Sequence, residues 1–168
     1  MYDKILYPTD GSSIAESAIE HAQNQAKQHD ATVHVLYVID SEHIGIGLAS
    51  NLDFEGGPGM VGAPTEDASG MVGSRPTGRE DLEDEGTEIV TTVAKQFEGV
   101  ETETAVRFGS PYETILEYVD NAGIDMIVMS THGRSGMQRY VIGSVTEKIV
   151  RFADVPVLTV SAAETSEK

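Results

Sequence analysis

Cysteine is absent from this chain of 168 residues, and long apolar runs are absent as well. Without cysteine there is no disulfide framework, no zinc–thiolate site and no cysteine nucleophile. No run approaches the roughly 18 apolar residues that a membrane-spanning helix needs. The first residues enter a strand-like segment at once, so we expect no signal peptide. These absences favour a cytoplasmic protein.

Basic side chains are also scarce, since 11 of them stand against 28 acidic ones and give a formal charge of −17. So acidic a chain has no general surface for a nucleic-acid backbone or for an anionic membrane. Two interpretations remain, namely an acidic surface that binds a partner and an adaptation to high salt. Because the acidic residues are spread over the whole chain, we favour the salt interpretation.

Several catalytic motifs are missing. The chain has no Gly-x-x-x-x-Gly-Lys-(Ser/Thr) motif of the P-loop NTPases and no Gly-x-Ser-x-Gly motif of the hydrolases. Its five histidines show no spacing typical of a metal site. The sequence therefore argues against a fast NTPase, a serine hydrolase of that type and a histidine-based metal site.

Short apolar segments alternate with segments of helical periodicity along most of the chain. The apolar segments predict strands at residues 4–7, 33–39, 103–107, 125–130 and 156–160, and the periodic segments predict helices at residues 13–29, 80–97, 111–122 and 143–151. Strict alternation of this kind is typical of a parallel sheet with helices on both faces. We therefore predict an α/β fold, a single three-layer α/β/α domain with a five-stranded parallel sheet.

Local signals predict where elements begin and end. Pro8 cannot donate to a sheet ladder and is expected to end the first strand. Ser13 with Glu16 forms a capping box at the start of the first helix, and Ser110 with Glu113 forms a second one. Pro111 occupies the first position of that later helix, which proline favours.

Residues 43–78 break the pattern, because they contain nine glycines and three prolines and no sustained apolar period. Such a segment buries too little surface to offset the entropy of ordering it. We expect a mobile loop or a disordered insertion within a domain that spans residues 1–163, followed by a polar tail at residues 164–168. The alternative is a lid over a ligand site.

Two strand ends carry the residues of a candidate site. In open parallel sheets, ligands bind beyond the carboxyl ends of the strands where the winding reverses. Glycines follow the first strand (residues 8–12) and the fourth (residues 130–144), and glycines and helix starts both favour phosphate. Residues 130–151 carry a local charge of +3 in a chain of −17. The alternatives are ordinary glycine turns and salt bridges within the last helix.

Five segments together resemble the universal stress protein family. They are Pro-Thr-Asp-Gly-Ser at 8–12, Tyr-Val-Ile-Asp at 37–40, Gly-Ser-Pro at 109–111, Asp-Met-Ile-Val-Met-Ser-Thr-His-Gly-Arg-Ser-Gly at 125–136, and Gly-Ser-Val-Thr-Glu-Lys-Ile-Val at 143–150. The closing Val-Pro-Val-Leu at 155–158 belongs to the same pattern. The resemblance covers the chain apart from residues 43–78.

The resemblance implies a Rossmann-like nucleotide-binding fold that is usually dimeric through the last strand, here Pro156 to Val160. Members of the family either bind ATP or do not. The ATP-binding type carries Gly-x-x-Gly-x9-Gly-(Ser/Thr) after the fourth strand. In this chain Gly133 and the pair Gly143-Ser144 match that motif, whereas Ser130 stands at the position of the first glycine.

The resemblance also implies roles for individual residues. Asp10 would hold the ribose or a Mg²⁺-bound water, and the alternative for it is an Asx turn or a helix cap beside Gly11. Val38 would lie against adenine. The remaining nucleotide-binding residues would be Pro8, Thr9, Met129, Ser130, Gly133, Arg134, Gly143, Ser144 and Val145.

The expected function is therefore that of a regulatory protein that binds ATP at the loops after the first and fourth strands. Mg²⁺ would be bound together with the ATP. We find no convincing general base, so we expect hydrolysis to be slow at most. The alternative is a nucleotide-independent dimeric interaction module of the same fold, which the serine at position 130 favours. Nucleic acid and membranes are not expected partners.

Overall fold

The computed structural model describes residues 1–40, 78–131 and 142–161. It contains five strands, β1 (Lys4–Thr9), β2 (Thr32–Asp40), β3 (Thr102–Gly109), β4 (Met126–Ser130) and β5 (Val157–Val160). The described residues also form five helices, α1 (Ser13–Glu16), α2 (Ile19–His29), α3 (Arg79–Ala94), α4 (Pro111–Ala122) and α5 (Ser144–Phe152). The glycine- and proline-rich segment lies outside the described residues, except for Gly78, which is the N-cap of α3. The polar tail also lies outside them.

All strands are parallel and form one sheet in the order β3-β2-β1-β4-β5. The chain winds from β1 outward to β2 and β3, and then returns to the other side of β1 for β4 and β5. The winding therefore reverses between β1 and β4. The predicted α/β architecture with a five-stranded parallel sheet is confirmed.

Both faces of the sheet are buried, because alternate residues of each strand contribute to two separate hydrophobic layers. One layer joins Ile5, Tyr7 and Val33 to α2 and α3. The other joins Leu6 and Leu36 to α4 and α5. This explains why β1, β2 and β4 read as almost continuous apolar runs, since a strand covered on both faces has no solvent side. Strand β3, at the edge of the sheet, keeps exposed residues such as Glu103 and Arg107. Across the described ranges, no helix is both long and apolar enough to span a membrane.

The first helix differs from its prediction in two ways. The N-cap is Ser12 and not Ser13, because the Ser12 hydroxyl accepts a hydrogen bond from the amide of Ala15 at 3.2 Å. The predicted single helix is also interrupted after Glu16. There the Ser17 hydroxyl donates to the carbonyl of Ile14 at 2.7 Å, and the next amides bond three residues back. These tight bonds end α1, and α2 begins anew at Ile19.

Two other predicted boundaries are wrong. Strand β1 does not end at Pro8 but continues to Thr9, with Pro8 opposite Leu36 of β2. The capping box at α4 is absent, since the Ser110 side chain makes no capping hydrogen bond and Glu113 instead accepts from the hydroxyl of its neighbour Tyr112 at 2.7 Å. Proline at the first position of α4 is confirmed.

Candidate functional site

A cavity of about 380 Å³ opens where β1 and β4 separate. The two strands are in register at only two positions, Ile5 with Met126 and Leu6 with Ile127, although β1 continues to Thr9 and β4 to Ser130. The cavity occupies the gap beyond these pairs. Nine of the eleven predicted site residues line it, namely Pro8, Thr9, Asp10, Val38, Met129, Ser130, Gly143, Ser144 and Val145.

A tight turn after β1 forms one wall of the cavity. The Thr9 hydroxyl accepts from the amide of Gly11 at 3.1 Å, and Asp10 Oδ1 accepts from both the amide and the hydroxyl of Ser12, at 3.0 and 2.6 Å. Gly11 has φ +73°, a left-handed conformation that glycine adopts without strain. Asp10 is therefore the first residue of an Asx turn, which was the alternative interpretation of the sequence. It also lines the cavity.

Tyr7 of β1 fixes the position of α1 beside this turn. Its fully buried hydroxyl donates to the carbonyl of Ala15 at 2.5 Å. Burial raises the pKa of Tyr7 well above its ordinary value, and the nearby carboxylates of Glu16 and Asp10 raise it further. The hydroxyl is therefore a permanent donor that holds Ala15 against the cavity.

The opposite wall joins the end of β4 to the start of α5. The amide of Gly143 donates to the carbonyl of Thr131 at 2.7 Å, and the Thr146 hydroxyl donates to the carbonyl of Ser130 at 3.1 Å. These two bonds place the amino end of α5 beside the end of β4. The first amide groups of a helix have no partner within it, and the helix dipole gives that end a partial positive charge. The wall thus presents the kind of donors that bind anions.

The inner surface of the cavity is largely apolar. Leu36 and Val38 come from β2, Met129 from β4 and Ile115 from α4. Such a surface suits a flat, weakly polar ring better than it suits a phosphate. The cavity therefore has an apolar region and, beside it, a region of amide and hydroxyl donors.

The sequence interpretation missed six residues that line the cavity: Ala15, Leu36, Asp40, Pro111, Ile115 and Thr146. Asp40 and Pro111 carried a usable signal, because Asp40 ends β2 and Pro111 closely follows β3 at the same edge of the sheet. The remaining four are core-like positions whose inclusion depends on how α1, α4 and α5 pack on the sheet.

Two predicted residues, Gly133 and Arg134, lie outside the described residues, as do His132 and Arg139. Within the described ranges, no group of three or more His, Asp or Glu side chains has the geometry of a metal site. Of the described basic residues in the +3 segment, Arg151 forms an ion pair with Glu147 at 2.8 Å, one helical turn away. This pair is the kind of intrahelical salt bridge that the sequence analysis left open as an alternative.

Solved structures share this architecture. A protein named MJ0577 from Methanocaldococcus jannaschii superimposes with a TM-score of 0.73 at 26% identity, over 98% of this chain and 99% of that chain. Two structures of lower identity show the same fold. One is a universal stress protein in complex with cAMP (TM-score 0.58, 17% identity, 96% and 98% coverage), and the other is an Arabidopsis thaliana family protein with AMP bound (TM-score 0.58, 18% identity, 99% and 96% coverage).

Sequence comparison gives the same result. The universal stress protein MJ0531 of Methanocaldococcus jannaschii is 35% identical over 162 residues, which cover 95% of this chain and 82% of that protein. The universal stress protein MJ0577 of the same organism is 30% identical over 162 residues, with 95% of both chains covered. The model of the universal stress protein family matches residues 1–161. This chain therefore belongs to the universal stress protein family.

Proposed function

We propose that this protein is a regulatory protein that binds ATP in the cavity between β1 and β4. The observation that carries the proposal is the convergence of five separate segments on that cavity, with an apolar region beside the amino end of a helix. The apolar region suits adenine, and the amino end of the helix suits phosphate. The cavity volume of about 380 Å³ lies within the range of small-molecule sites.

The lining residues fit the three parts of the nucleotide. Val38 and Met129 supply the apolar contact for the base. The Asp10 carboxylate, already oriented by Ser12, accepts hydrogen bonds from the ribose hydroxyls or from a water bound to Mg²⁺. Ser144 and Val145 offer backbone amides and a hydroxyl to the phosphates. The amide of Gly143 is bonded to Thr131, and its lack of a side chain lets a phosphate approach the backbone closely.

The structural neighbours support an adenine nucleotide as the ligand. One of them is a complex with cAMP and another has AMP bound. Both ligands share adenine, ribose and phosphate with ATP, and these are the parts that the cavity suits. Gly133 and Arg134 remain proposed phosphate contacts on the basis of the motif alone.

Binding, with slow hydrolysis at most, suits the site better than rapid catalysis. The ionisable side chains among the described lining residues are the two carboxylates of Asp10 and Asp40. Asp10 is held in a turn by Ser12, so it acts as a fixed acceptor. A bound nucleotide that persists is suited to controlling contacts with partners.

We also propose that the protein forms a homodimer through β5 in the cytoplasm. Strand β5 is an edge of the sheet, and its four residues are only partly buried. Val150 and Phe152 of the adjacent α5 are 50% and 57% exposed. An uncovered strand edge next to exposed apolar side chains is a surface that proteins normally cover. A second copy of the chain would do so.

The decisive experiment combines mass spectrometry of nucleotide released from the purified protein with calorimetric titration of ATP. We expect co-purified or titratable ATP, and a dimer in light scattering of the same sample. Gly143→Val places a side chain at the cavity and should weaken ATP binding at least about tenfold, roughly 1.4 kcal/mol.

Gly78→Val is the matched control, because Gly78 is also an N-cap with extended backbone but lies outside the cavity. It should leave binding unchanged. If the folded wild-type protein neither carries nor binds adenine nucleotide, the proposal is wrong, and a folded dimer of that kind would favour the nucleotide-independent module.

A further inference from the structure

Lys148 lies close to the cavity without lining it. It is on α5 one helical turn after Ser144, and residues four apart share one face of a helix. Its ammonium nitrogen is 4.1 Å from the centroid of the Tyr112 ring on α4. Tyr112 directly follows Pro111, which lines the cavity. The Lys148–Tyr112 contact therefore joins the amino-terminal halves of α4 and α5 at the edge of the cavity.

No carboxylate of the described residues neutralises the charge of Lys148. Its neighbour Glu147 pairs with Arg151, and none of the described carboxylates forms an ion pair with Lys148. Contact with the face of an aromatic ring orients an ammonium group at an exposed site but leaves its positive charge uncompensated.

The helical position of Lys148 favours a side chain directed toward the amino end of α5. Long side chains on a helix lean toward the amino end of the helix. For Lys148 that end is the one that presents Ser144 and Val145 to the cavity. A phosphate there attracts the ammonium more strongly than the ring does, because a charge-assisted hydrogen bond between two full charges is stronger than a cation–π contact at an exposed site.

We propose that Lys148 recognises the outer phosphates of the bound nucleotide, with Tyr112 holding its ammonium at the edge of the cavity. This inference rests on the proposed function and goes further by stating how the site distinguishes a nucleoside triphosphate from a nucleoside. Lys148 then contributes to the affinity for the phosphates and contributes nothing to the affinity for the base.

The test compares ATP with adenosine by calorimetric titration of the wild-type protein and three variants. Lys148→Met keeps the aliphatic stem and removes the charge. It should weaken ATP binding about tenfold, the effect of one lost charge-assisted contact, and leave adenosine binding unchanged. Lys148→Arg should restore most of the ATP affinity. Arg151→Met, which removes the paired cation one turn further along α5, should change neither ligand.

A second measurement separates direct recognition from a structural effect. The affinity of the wild-type protein for ATP should fall with added salt more steeply than that of Lys148→Met. If Lys148→Met weakens both ligands equally, or leaves ATP binding intact, the role assigned to Lys148 is wrong while the proposed function stands. If the folded wild-type protein binds neither ATP nor adenosine, the proposed function itself fails.

Discussion

His34 is a buried histidine beside α4, and its protonation provides a test of how burial affects stability. This residue of β2 is 3% exposed, and its Nδ1 lies 3.0 Å from the Tyr118 hydroxyl of α4. Its Nε2 is buried and has no hydrogen-bond partner among the described residues. Burial raises the pKa of Tyr118, so its hydroxyl stays protonated and can donate a hydrogen bond to a neutral imidazole.

Burial also lowers the pKa of His34, and the free energy of unfolding therefore decreases as the pH falls. Desolvation of the ring outweighs the Glu103 carboxylate, which lies 3.7 Å from Nδ1 and favours the charged form, and the nearby charge of Lys4 lowers the pKa further. The folded protein therefore binds the proton less readily than the unfolded chain, whose histidines titrate near 6.5. The contribution of His34 to stability is complete above about pH 6.5 and is lost as the pH falls below it.

The size of this effect has an upper bound. A difference of one bound proton changes the free energy of unfolding by at most about 1.4 kcal/mol per pH unit. We expect that slope to be approached between about pH 6.5 and the lowered pKa of His34 in the fold. Below that pKa both states bind the proton and the contribution of His34 to the slope vanishes.

Urea unfolding followed by far-UV circular dichroism, at pH values from 7.5 to 5.5, measures the slope. His34→Gln removes the titrating ring, so its stability should fall less steeply with acid than that of the wild-type protein. His21→Gln is the control, because His21 is exposed, and its curve should run parallel to that of the wild-type protein. Parallel curves for wild-type and His34→Gln would refute the reasoning, as would an NMR titration in which the His34 ring titrates above 6.5.

Two further variants test packing and capping by the same unfolding measurement. Gly86→Ala improves helix propensity in α3 by about 1 kcal/mol, but the new Cβ would lie 2.9 Å from Val106 Cγ1 and 3.1 Å from Tyr37 Cδ1. Overpacking of that kind costs about 1–3 kcal/mol, so we expect net destabilisation, and a more stable variant would show that α3 can move away from the sheet. Ser12→Ala should cost about 1 kcal/mol through the lost cap, whereas Ser110→Ala should cost less than about 0.5 kcal/mol because its hydroxyl caps nothing. If the two serine variants lose equal stability, the lost cap at α1 is not the reason for the effect of Ser12→Ala.

The architecture could be predicted because its signals are local. Apolar runs such as residues 33–39 mark strands buried on both faces, and Gly123, with φ +65°, ends α4 as its sequence indicates. Once the alternation of strands and helices is known, the right-handed crossover rule leaves few sheet orders. The same reasoning placed the ends of β1 and β4 side by side, which is why most of the proposed site residues line one cavity.

The two errors in helix capping arise from competition between neighbouring polar groups. Ser12 and Ser13 are chemically equal candidates for a cap, and the choice is made by the Asp10 carboxylate, which holds Ser12. Glu113 is drawn to the hydroxyl of Tyr112 instead of to the start of its helix. Ile115 lines the cavity only because of how α4 crosses the sheet. None of these outcomes can be obtained from residue spacing.

The early separation of β1 from β4 has a consequence for how proteins of this fold diversify. Beyond Leu6 and Ile127 the two strands no longer pair, so Pro8, Thr9, Met129 and Ser130 face the cavity where no ladder joins β1 to β4. Exchanging these side chains leaves the pairing between the two halves of the sheet intact. A lineage can therefore change its ligand, or lose it, while it inherits the same scaffold.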